Sequence, residues 1–465
     1  MQWFSGSKSK AKEPQRRIEA INRLGTARDS KAVTAVLAAL ADPDLNVRLA
    51  ALRVTAQWQD DYALQGLSQA LRDPVSEVRE QAITALRMMG TKESTAALIP
   101  SLADPVASVR TQAVQMLTAL GWSPETPNDR ILHFIGHGQF GKAAAVGRES
   151  VELLLPFAEH PIVSTRRDVA EAFGVVRDPR VNVALEKMLS DIDSSVRIAA
   201  IDSLMRIQAP ISLIGRMTKD PDKNVRAAAA ETLGEMRDTE AVPIVSECLK
   251  DEHWSVRCAA ASALGLIGER TSVPLLVNCL KDQDIDMRVA SAEALGLIGD
   301  VEAVEPLILA QLDPETRVRQ AAVSAVVRVD YRWHRNPRAY RTLPLLKRAA
   351  RSDNLSIRTG ATELLDRIFS IRRVSWKSSG VDPEADRRMQ AAEMLITCLW
   401  DDDALIQGAA AETLGHLRSR RAQDALKVRA EDTHVWVSAQ ARAALESLER
   451  TDSKPDMGWC PSPSS

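Results

Sequence analysis

Apolar and small residues recur along this chain at the spacing of one face of an amphipathic helix. Between residues 254 and 267, the positions of this kind are Val256, Ala259, Ala260, Ala263, Leu264 and Ile267. Gly268 follows them and predicts a helix end. The next apolar stretch, Thr271–Lys281, predicts a second helix. Such a helix pair cannot bury its apolar face alone, so we expect it to stack on similar pairs.

The pattern repeats along the chain. The stretch DEHWSVRCAAASALGLIG at Asp251–Gly268 is followed 31 residues later by DQDIDMRVASAEALGLIG at Asp282–Gly299. An Arg six residues after the opening Asp anchors each copy. The anchors are Arg17, Arg48, Arg79, Arg110, Arg166, Arg197, Arg226, Arg257, Arg288, Arg319 and Arg358, with Gln407 and Ser438 at equivalent places. Repeats of this length predict an all-α fold, an α-solenoid of about fourteen helix pairs.

The Asp that opens each copy is followed by Pro in several of them, as at Asp220 and Pro221. An Asp side chain can cap the N terminus of a helix, and Pro fits the first helical turn. The pattern therefore predicts that Asp251 and its equivalents cap the helix that carries the anchor.

Spacing between anchors also predicts the domain organisation. We expect a solenoid over residues 15–450 and polar, disordered tails at residues 1–14 and 451–465. The long step between Arg110 and Arg166 predicts a degenerate repeat at about residues 128–160. Two further long steps predict insertions at about residues 330–343 and 371–389.

The pattern D-x-x-x-x-V-R-x-x-A-x-x-A-L-G resembles HEAT repeats of the phycobilisome-lyase-like class, which are armadillo-like helical repeats. The resemblance covers about residues 15–450. It implies that Asp and Arg of neighbouring repeats form a buried ladder. In the central copies the implied ladder residues are Asp220, Arg226, Asp251, Arg257, Asp282 and Arg288. Because Gln407 and Ser438 depart from the pattern, we expect the ladder to weaken toward the C-terminal end.

Composition agrees with a helical fold, since 45% of the residues are hydrophobic and only 4% are aromatic. The formal net charge of −2 gives no overall basic field that would attract nucleic acid. By resemblance, the anchor-bearing helices line the concave face of the solenoid. The charges predicted there are mixed, with an acidic middle, so we do not expect a nucleic-acid partner.

The sequence predicts a cytoplasmic protein. Its five cysteines include no CxxC pair, which favours reduced thiols over a disulfide framework. The first residues, MQWFSGSKSKAKEPQ, lack the apolar run of a signal peptide. No stretch approaches the roughly 18 apolar residues of a membrane span.

Histidine and cysteine are the side chains most suited to catalysis or metal binding. None of the seven histidines is followed by Glu, and His133 and His137 lack a third ligand. Cys258 has no His or Cys at ligand spacing. We therefore expect no catalytic residue, no metal, no cofactor and no small-molecule substrate.

Two alternative functions follow from the resemblance, because some proteins with these repeats are associated with enzymes. One is a bilin lyase-like subunit that handles a chromophore, which no residue requires or excludes. The other is a deoxyhypusine hydroxylase-like oxidoreductase. That reading is weaker, because the repeated His-Glu dipeptides that carry its di-iron site are missing here.

Both insertions combine arginine with aromatic residues, the types that dominate binding hot spots. The candidate contacts are Tyr331, Trp333, Arg335, Arg338, Tyr340, Arg341, Arg372, Arg373 and Trp376, with Trp254 and Trp436 near the rim of the concave face. We predict a non-catalytic scaffold or adaptor that binds one or more proteins through the concave face and these insertions. The same residues are expected if arginine only keeps the insertions soluble and the aromatic rings only pack them. An acidic protein, a phosphorylated ligand or a nucleic acid would each suit such a surface.

Overall fold

The structure is a computed structural model that describes residues 13–27, 29–369, 391–393, 395–401 and 404–452. Within these residues the regular secondary structure is helical, and no strand is present. Contacts between residues divide the chain into two compact units, residues 1–210 and residues 211–465. The chain is an all-α solenoid in which helix pairs follow one another in sequence order.

Unit 1 contains helices of six to fourteen residues and one five-residue helix. They are α1 (Pro14–Ala27), α2 (Ser30–Ala39), α3 (Leu45–Ala56), α4 (Asp61–Ala70), α5 (Ser76–Met89), α6 (Lys92–Leu98), α7 (Ala107–Ala119), α8 (Pro127–Gly136), α9 (Phe140–Ala145), α10 (Ser150–Leu154), α11 (Val163–Phe173), α12 (Pro179–Met188) and α13 (Ser194–Arg206). Short 3-10 helices at Ile99–Ala103 and Leu155–Glu159 extend α6 and α10.

Unit 2 continues the same alternation of helices. They are α14 (Ile211–Arg216), α15 (Lys223–Glu235), α16 (Val242–Cys248), α17 (Trp254–Ile267), α18 (Val273–Cys279), α19 (Ile285–Ile298), α20 (Val304–Ala310), α21 (Thr316–Val329), α22 (Pro337–Arg341), α23 (Leu343–Ala349), α24 (Leu355–Phe369), α25 (Ala404–Leu417), α26 (Gln423–Ala430) and α27 (Val435–Asp452). Its 3-10 helices are Met217–Lys219, Thr239–Ala241, Arg270–Ser272, Val301–Ala303, Trp333–Arg335 and Arg420–Ala422. Residues 391–393 and 395–398 are also helical.

The helices that carry the anchor residues, here called anchor helices, are linked by arginine–aspartate rungs. In unit 2, Arg226 donates from Nε to Asp251 Oδ2 at 2.7 Å and from Nη2 to Asp251 Oδ1 at 2.9 Å. The third nitrogen, Nη1, donates to the carbonyl oxygen of Asp220 at 2.9 Å. Each complete rung therefore ties an anchor to the start of its own repeat and to the Asp of the next one, with the planar two-bond geometry that a guanidinium and a carboxylate favour.

Other rungs repeat this geometry with two side-chain bonds of 2.6 to 3.1 Å. They are Arg48 with Asp73, Arg79 with Asp104, Arg166 with Asp191, and Arg288 with Asp313.

The ladder is not uniform. Arg257 reaches Asp282 with one contact of 3.6 Å, and no described atom accepts a hydrogen bond from its buried Nε. Gln407 donates to the carbonyl oxygen of Asp401, as an anchor arginine does, but its side chain is too short to form a rung as well. Within the described residues, no two-bond rung follows Arg288 and Asp313.

The prediction that Asp251 caps the anchor helix is wrong. The N-cap residue of α17 is His253, whose Nδ1 accepts a hydrogen bond from the backbone N–H of Ser255 at 3.3 Å. Asp251 lies two residues earlier, where its Oδ1 accepts the backbone N–H of His253 at 2.9 Å as well as the Arg226 bond. The Asp therefore fixes the turn before the helix and serves the ladder.

Anchor helices of unit 2 approach one another closely at a glycine eight residues after the anchor. A Cβ atom added to Gly265 would lie 2.7 Å from the Cα atom of Ala294, a distance that real Cβ atoms do not reach. Gly234, Gly296 and Gly415 meet the next anchor helix in the same way, each against an alanine. Glycine and alanine at these two positions therefore set the short spacing between neighbouring anchor helices.

The segment predicted as a degenerate repeat forms helices α8 to α10 and interrupts the ladder of unit 1. The guanidinium of Arg110 has no Asp in register and lies over the rings of Phe140 and Phe157, 5.9 and 5.4 Å from their centroids. Burial lowers the pKa of Arg110, while Asp104 acts against this effect. His160 takes the place of the next Asp and contacts the carbonyl oxygen of Pro105 through Nε2 at 2.7 Å. Aromatic rings thus replace the missing carboxylate at this break.

Candidate partner-binding cleft

The first insertion is built into the packing of unit 2. Its 3-10 helix, Trp333–Arg335, contacts both α21 and α24. Trp333 is only 3% exposed, so its ring is unavailable to a partner. The expectation that Trp333 is a surface contact is therefore wrong, because an indole placed between two helices gains more from burial than from exposure. The insertion acts as a wedge that holds α21 and α24 apart.

Two arginines of the insertion hold it against the preceding repeat. Arg338 forms an ion pair with Glu302, and Arg341 Nε lies 3.6 Å from Glu305 Oε2. Burial raises the pKa of Glu305, while Arg341 and Arg338 act in the opposite direction. These arginines are partly engaged within the chain and less available to a partner than the sequence suggests.

The remaining candidates of the first insertion differ in exposure. Tyr331 is 80% exposed, whereas Arg335 and Tyr340 are half-buried. No described atom accepts a hydrogen bond from the buried Nε of Arg335. The candidates of the second insertion, Arg372, Arg373 and Trp376, lie outside the described residues.

The two tryptophans predicted at the rim have different surroundings. Trp254 is 47% exposed, and its ring stacks on His253 at a centroid distance of 5.9 Å. Trp436 is half-buried, lies against Gly408, and receives the guanidinium of Arg351 at 5.5 Å from its centroid. Trp254 thus remains an exposed candidate contact, whereas Trp436 packs α27 on α25.

A cleft of about 410 Å³ opens between α21 and α24. At the position of the close glycine, α21 carries Val327, and at the facing alanine position α24 carries Leu364. Larger side chains at both positions, together with the Trp333 wedge, prevent the close approach seen between α17 and α19. We call this space the α21–α24 cleft. Its lining residues are Gln311, Arg319, Val323, Ser356, Thr359, Gly360, Glu363, Leu364 and Arg367.

Apolar side chains of α21 that correspond to buried positions in other repeats are exposed beside the cleft. Val323 is 38% exposed and Val327 is 41% exposed. In the preceding anchor helix the equivalent residues, Ala292 and Gly296, are buried. The face of α21 that would contact a neighbouring anchor helix is therefore open.

The arginine–aspartate ladder is interrupted beside the cleft, at Arg319, the anchor residue of α21. Its Nη1 donates to the carbonyl oxygens of Asp313 at 2.9 Å and Pro314 at 2.7 Å, as in a complete rung. Its Nη2 donates to Thr316 Oγ1 at 2.8 Å. Among the described residues no carboxylate pairs with Arg319, and none of the aromatic rings there lies over it as Phe140 and Phe157 lie over Arg110. Arg319 is one of the residues that line the cleft.

A second cleft, of about 520 Å³, lies among α23, α24, α25 and α27. Lys347, Arg348, Arg351 and Trp436 line it together with aliphatic side chains. Lys347 Nζ lies 3.3 Å from Glu412 Oε2, and burial lowers the pKa of Lys347 while Glu412 raises it. Its cations are thus already matched in part by Glu412 and the Trp436 ring.

Reactive side chains are not gathered at either cleft. Burial raises the pKa of the Cys258 thiol to about 11, and Asp284 and Asp286 add to the effect, which disfavours a thiolate nucleophile. His133 and His137 lie with ring centroids 4.7 Å apart on α8. Over the described part of the chain, no three His, Cys, Asp or Glu side chains are grouped as metal ligands would be.

None of the helices described here is both long and apolar enough to span a bilayer.

The cleft was missed at the sequence level, although a signal was present. Aligning the repeats on their anchors places Val327 where Gly234, Gly265 and Gly296 occur. It also shows that no Asp stands six residues before Arg358, where Ser352 occurs instead. Both departures mark the break after Arg319.

The repeats match a known family. The family model described as HEAT repeats covers residues 33–118, 210–286 and 248–327, which include regular anchors of both units. The chain contains HEAT repeats. The HEAT repeats predicted from the sequence are thereby confirmed, and this fold is typical of scaffolds for protein–protein interaction.

Solved structures similar to this HEAT-repeat protein are distant in sequence. The complex of CpcE and CpcF of phycocyanin lyase from Nostoc sp. PCC7120 is 23% identical, with a TM-score of 0.26, covering 54% of this chain and 91% of that chain. Human deoxyhypusine hydroxylase in complex with glycerol is 18% identical, with a TM-score of 0.25, covering 66% and 99%. Kap95p bound to RanGDP is 13% identical, with a TM-score of 0.40, covering 94% and 66%. Similarity at this level does not indicate that this chain shares the activity or the partners of those proteins.

No curated protein matches this HEAT-repeat protein significantly in sequence. The two enzyme-associated alternatives therefore stay predictions from the sequence.

Proposed function

We propose that this HEAT-repeat protein is a non-catalytic adaptor that binds a partner protein in the α21–α24 cleft. The observation that carries the proposal is the exposure of Val323 and Val327 at positions that regular repeats bury against the next anchor helix. An apolar face of this kind gains free energy when a partner covers it.

The cleft also contains groups that give such binding specificity. Arg319, Glu363 and Arg367 place charges of both signs around the aliphatic surface of Val323 and Leu364. A central apolar patch with a polar rim is the usual arrangement of a protein-binding site. Guanidinium, carboxylate, hydroxyl and aliphatic groups at this place suit recognition, and Tyr331 and Trp254 remain further candidate contacts.

The proposal is tested by replacing the exposed valines. We expect the double substitution Val323→Glu and Val327→Glu to abolish capture of the partner from a native extract by the full chain, because two charges would have to be buried in the interface. Val428→Glu is the matched control, since Val428 is 55% exposed on α26, away from the cleft lining. Capture is quantified by mass spectrometry, and circular dichroism checks that each variant is folded.

Proteins retained by the wild type and by Val428→Glu, but lost from the double variant, are the expected result. Cross-links from such a protein to α21 or α24 would place it in the cleft. An unchanged set of captured proteins in the double variant would contradict the proposal.

A further inference from the structure

Regular rungs of this chain define what the missing partner of Arg319 should look like. In the preceding repeat, Arg288 donates to both carboxylate oxygens of Asp313 at 2.8 and 3.0 Å. Its Nη1 meanwhile donates to the carbonyl oxygen of Asp282 at 2.9 Å. Arg319 keeps this last type of bond, at 2.9 Å to Asp313, so its guanidinium is held as in a complete rung. The break has removed the carboxylate, and the Thr316 hydroxyl accepts from Nη2 in its place at 2.8 Å. A carboxylate that completes the rung would displace this hydroxyl.

At the other break, the anchor arginine Arg110 is covered by side chains of the same chain. There the guanidinium is buried beneath Phe140 and Phe157, two rings of the same chain. At Arg319 the guanidinium instead lines an open cleft beside exposed valines. The two breaks in the ladder therefore differ, and the described residues leave the one at Arg319 open to another molecule.

Charge around the cleft selects the sign of that molecule. Among the residues that line the cleft, Arg319 and Arg367 are basic and Glu363 is acidic, so the lining has an excess of positive charge. The facing helix α24 carries Arg358 and Arg367 together with Glu363 and Asp366, so it is neutral overall. Like charge in a partner would be repelled, whereas a carboxylate would gain the two-bond geometry with a guanidinium that is already oriented.

We propose that the α21–α24 cleft binds an acidic helical segment of a partner protein, and that one carboxylate of this segment completes the vacant rung at Arg319. Small and apolar side chains of the segment cover Val323 and Val327, as the next anchor helix does elsewhere. The bound segment thus takes the place of the displaced anchor helix. This inference rests on the proposed adaptor function and adds the chemistry of the ligand to it.

The chain itself supplies a probe for this site. A synthetic peptide that copies residues 282–299, DQDIDMRVASAEALGLIG with blocked termini, contains a ladder Asp and an anchor helix and is acidic. A matched peptide carries Asp282→Asn. Binding of each fluorescently labelled peptide to the full chain is followed by anisotropy.

Two protein variants accompany the wild type. Arg319→Gln removes the guanidinium N–H groups that would bind a carboxylate. Gln407 shows that glutamine at an anchor position is compatible with the fold. Arg317→Gln is the matched control, because Arg317 lies on the same helix, pairs with Asp286 at 2.7 Å and lies outside the cleft lining.

We expect the Asp282→Asn peptide to bind about tenfold more weakly than the parent peptide. Arg319→Gln should weaken binding of the parent peptide by a similar factor, and combining the two changes should cause little further loss, since both remove one interaction. Arg317→Gln should bind like the wild type.

The proposal is overturned if the parent peptide does not bind, if both peptides bind equally, or if Arg319→Gln leaves the affinity unchanged. Light scattering tests whether a second copy of the chain occupies the cleft. If the wild type is a dimer and Arg319→Gln dissociates it, the occupant is a second copy and the proposal of a partner segment is wrong. The peptide experiment is independent of partner capture by the Val323→Glu and Val327→Glu variant. The proposed adaptor function and the proposed acidic ligand can therefore be refuted separately.

Discussion

Single guanidinium groups are held unequally along the ladder. Arg226 binds both oxygens of Asp251, whereas Arg257 reaches Asp282 with one long contact and has a buried Nε that no described atom accepts. A buried donor without an acceptor reduces stability, and a two-bond ion pair offsets the cost of burying its charges. Neighbouring rungs of the same sequence type should therefore contribute differently to stability.

Arg226→Ala should lower the free energy of unfolding by about 1–3 kcal/mol, because it leaves the partly buried Asp251 without its main donor. Arg257→Ala should cost clearly less, since it also removes a donor that lacks an acceptor. Urea denaturation of the two variants beside the wild type measures the difference. A cost for Arg257→Ala as large as that for Arg226→Ala would contradict this account of the rungs.

At the scale of the helix, packing depends on a contact that the side-chain pattern does not display. Gly265 belongs to the repeated ALG motif, but its function appears only where α17 meets α19. Alanine has a higher helix propensity than glycine, so glycine at this place must gain its advantage from the close approach. The spacing of the anchor helices is thus set by the absence of a side chain.

Gly265→Ala should destabilise the protein by about 1–3 kcal/mol, because the new Cβ atom would lie 2.7 Å from the Ala294 Cα atom and the helices must move apart. The control is Gly141→Ala in α9, where an added Cβ atom meets nothing within 4 Å. That change should be neutral or stabilising by up to about 1 kcal/mol. Thermal melting followed by circular dichroism compares the two, and a stabilised Gly265→Ala variant would refute the close contact.

The sequence predicts the helix pairs well, because the period and the apolar spacing depend on residues close together in the chain. It does not predict that Asp251 serves the ladder and leaves the cap to His253, since both functions fit an Asp before a helix. The burial of Trp333 depends on two helices that the sequence does not place around it. Likewise, the cleft depends on Val327 and Leu364, which occupy the close-glycine and alanine positions of separate repeats. Local patterns therefore specify the helices. The cleft instead arises because two neighbouring anchor helices carry side chains too large for close packing.

For the molecule as a whole, the arginine–aspartate rungs make the free energy of unfolding depend on pH. Hydrogen bonds from Arg166 and Arg226 lower the pKa values of Asp191 and Asp251 below the ordinary value of roughly 3.9. A carboxyl group whose pKa is lower in the folded state stabilises the protein above its unfolded pKa, and this contribution is lost as the pH falls through the folded value. The rungs at Asp191 and Asp251 therefore stabilise the chain at neutral pH, and their contribution is lost as the pH falls below about 4.

The melting temperature should be nearly constant between about pH 7 and pH 5 and should fall below about pH 4 as the carboxylates of Asp191 and Asp251 are protonated. A double variant, Asp191→Asn and Asp251→Asn, should melt lower at pH 7 and lose less than the wild type on acidification. Calorimetry over this range measures both slopes. Equal slopes for the two proteins would show that the rungs do not carry the acid sensitivity.

The rungs also bear on how the chain folds. Each complete rung joins residues only 25 positions apart, as Arg226 and Asp251 are. Contacts of such short separation close small loops and lose little chain entropy, which favours rapid folding from local parts. A repeat on a growing polypeptide can therefore gain its rung soon after the next turn has left the ribosome. The contact of Arg110 with Phe157 spans 47 residues, so it closes a longer loop and costs more chain entropy than a rung does.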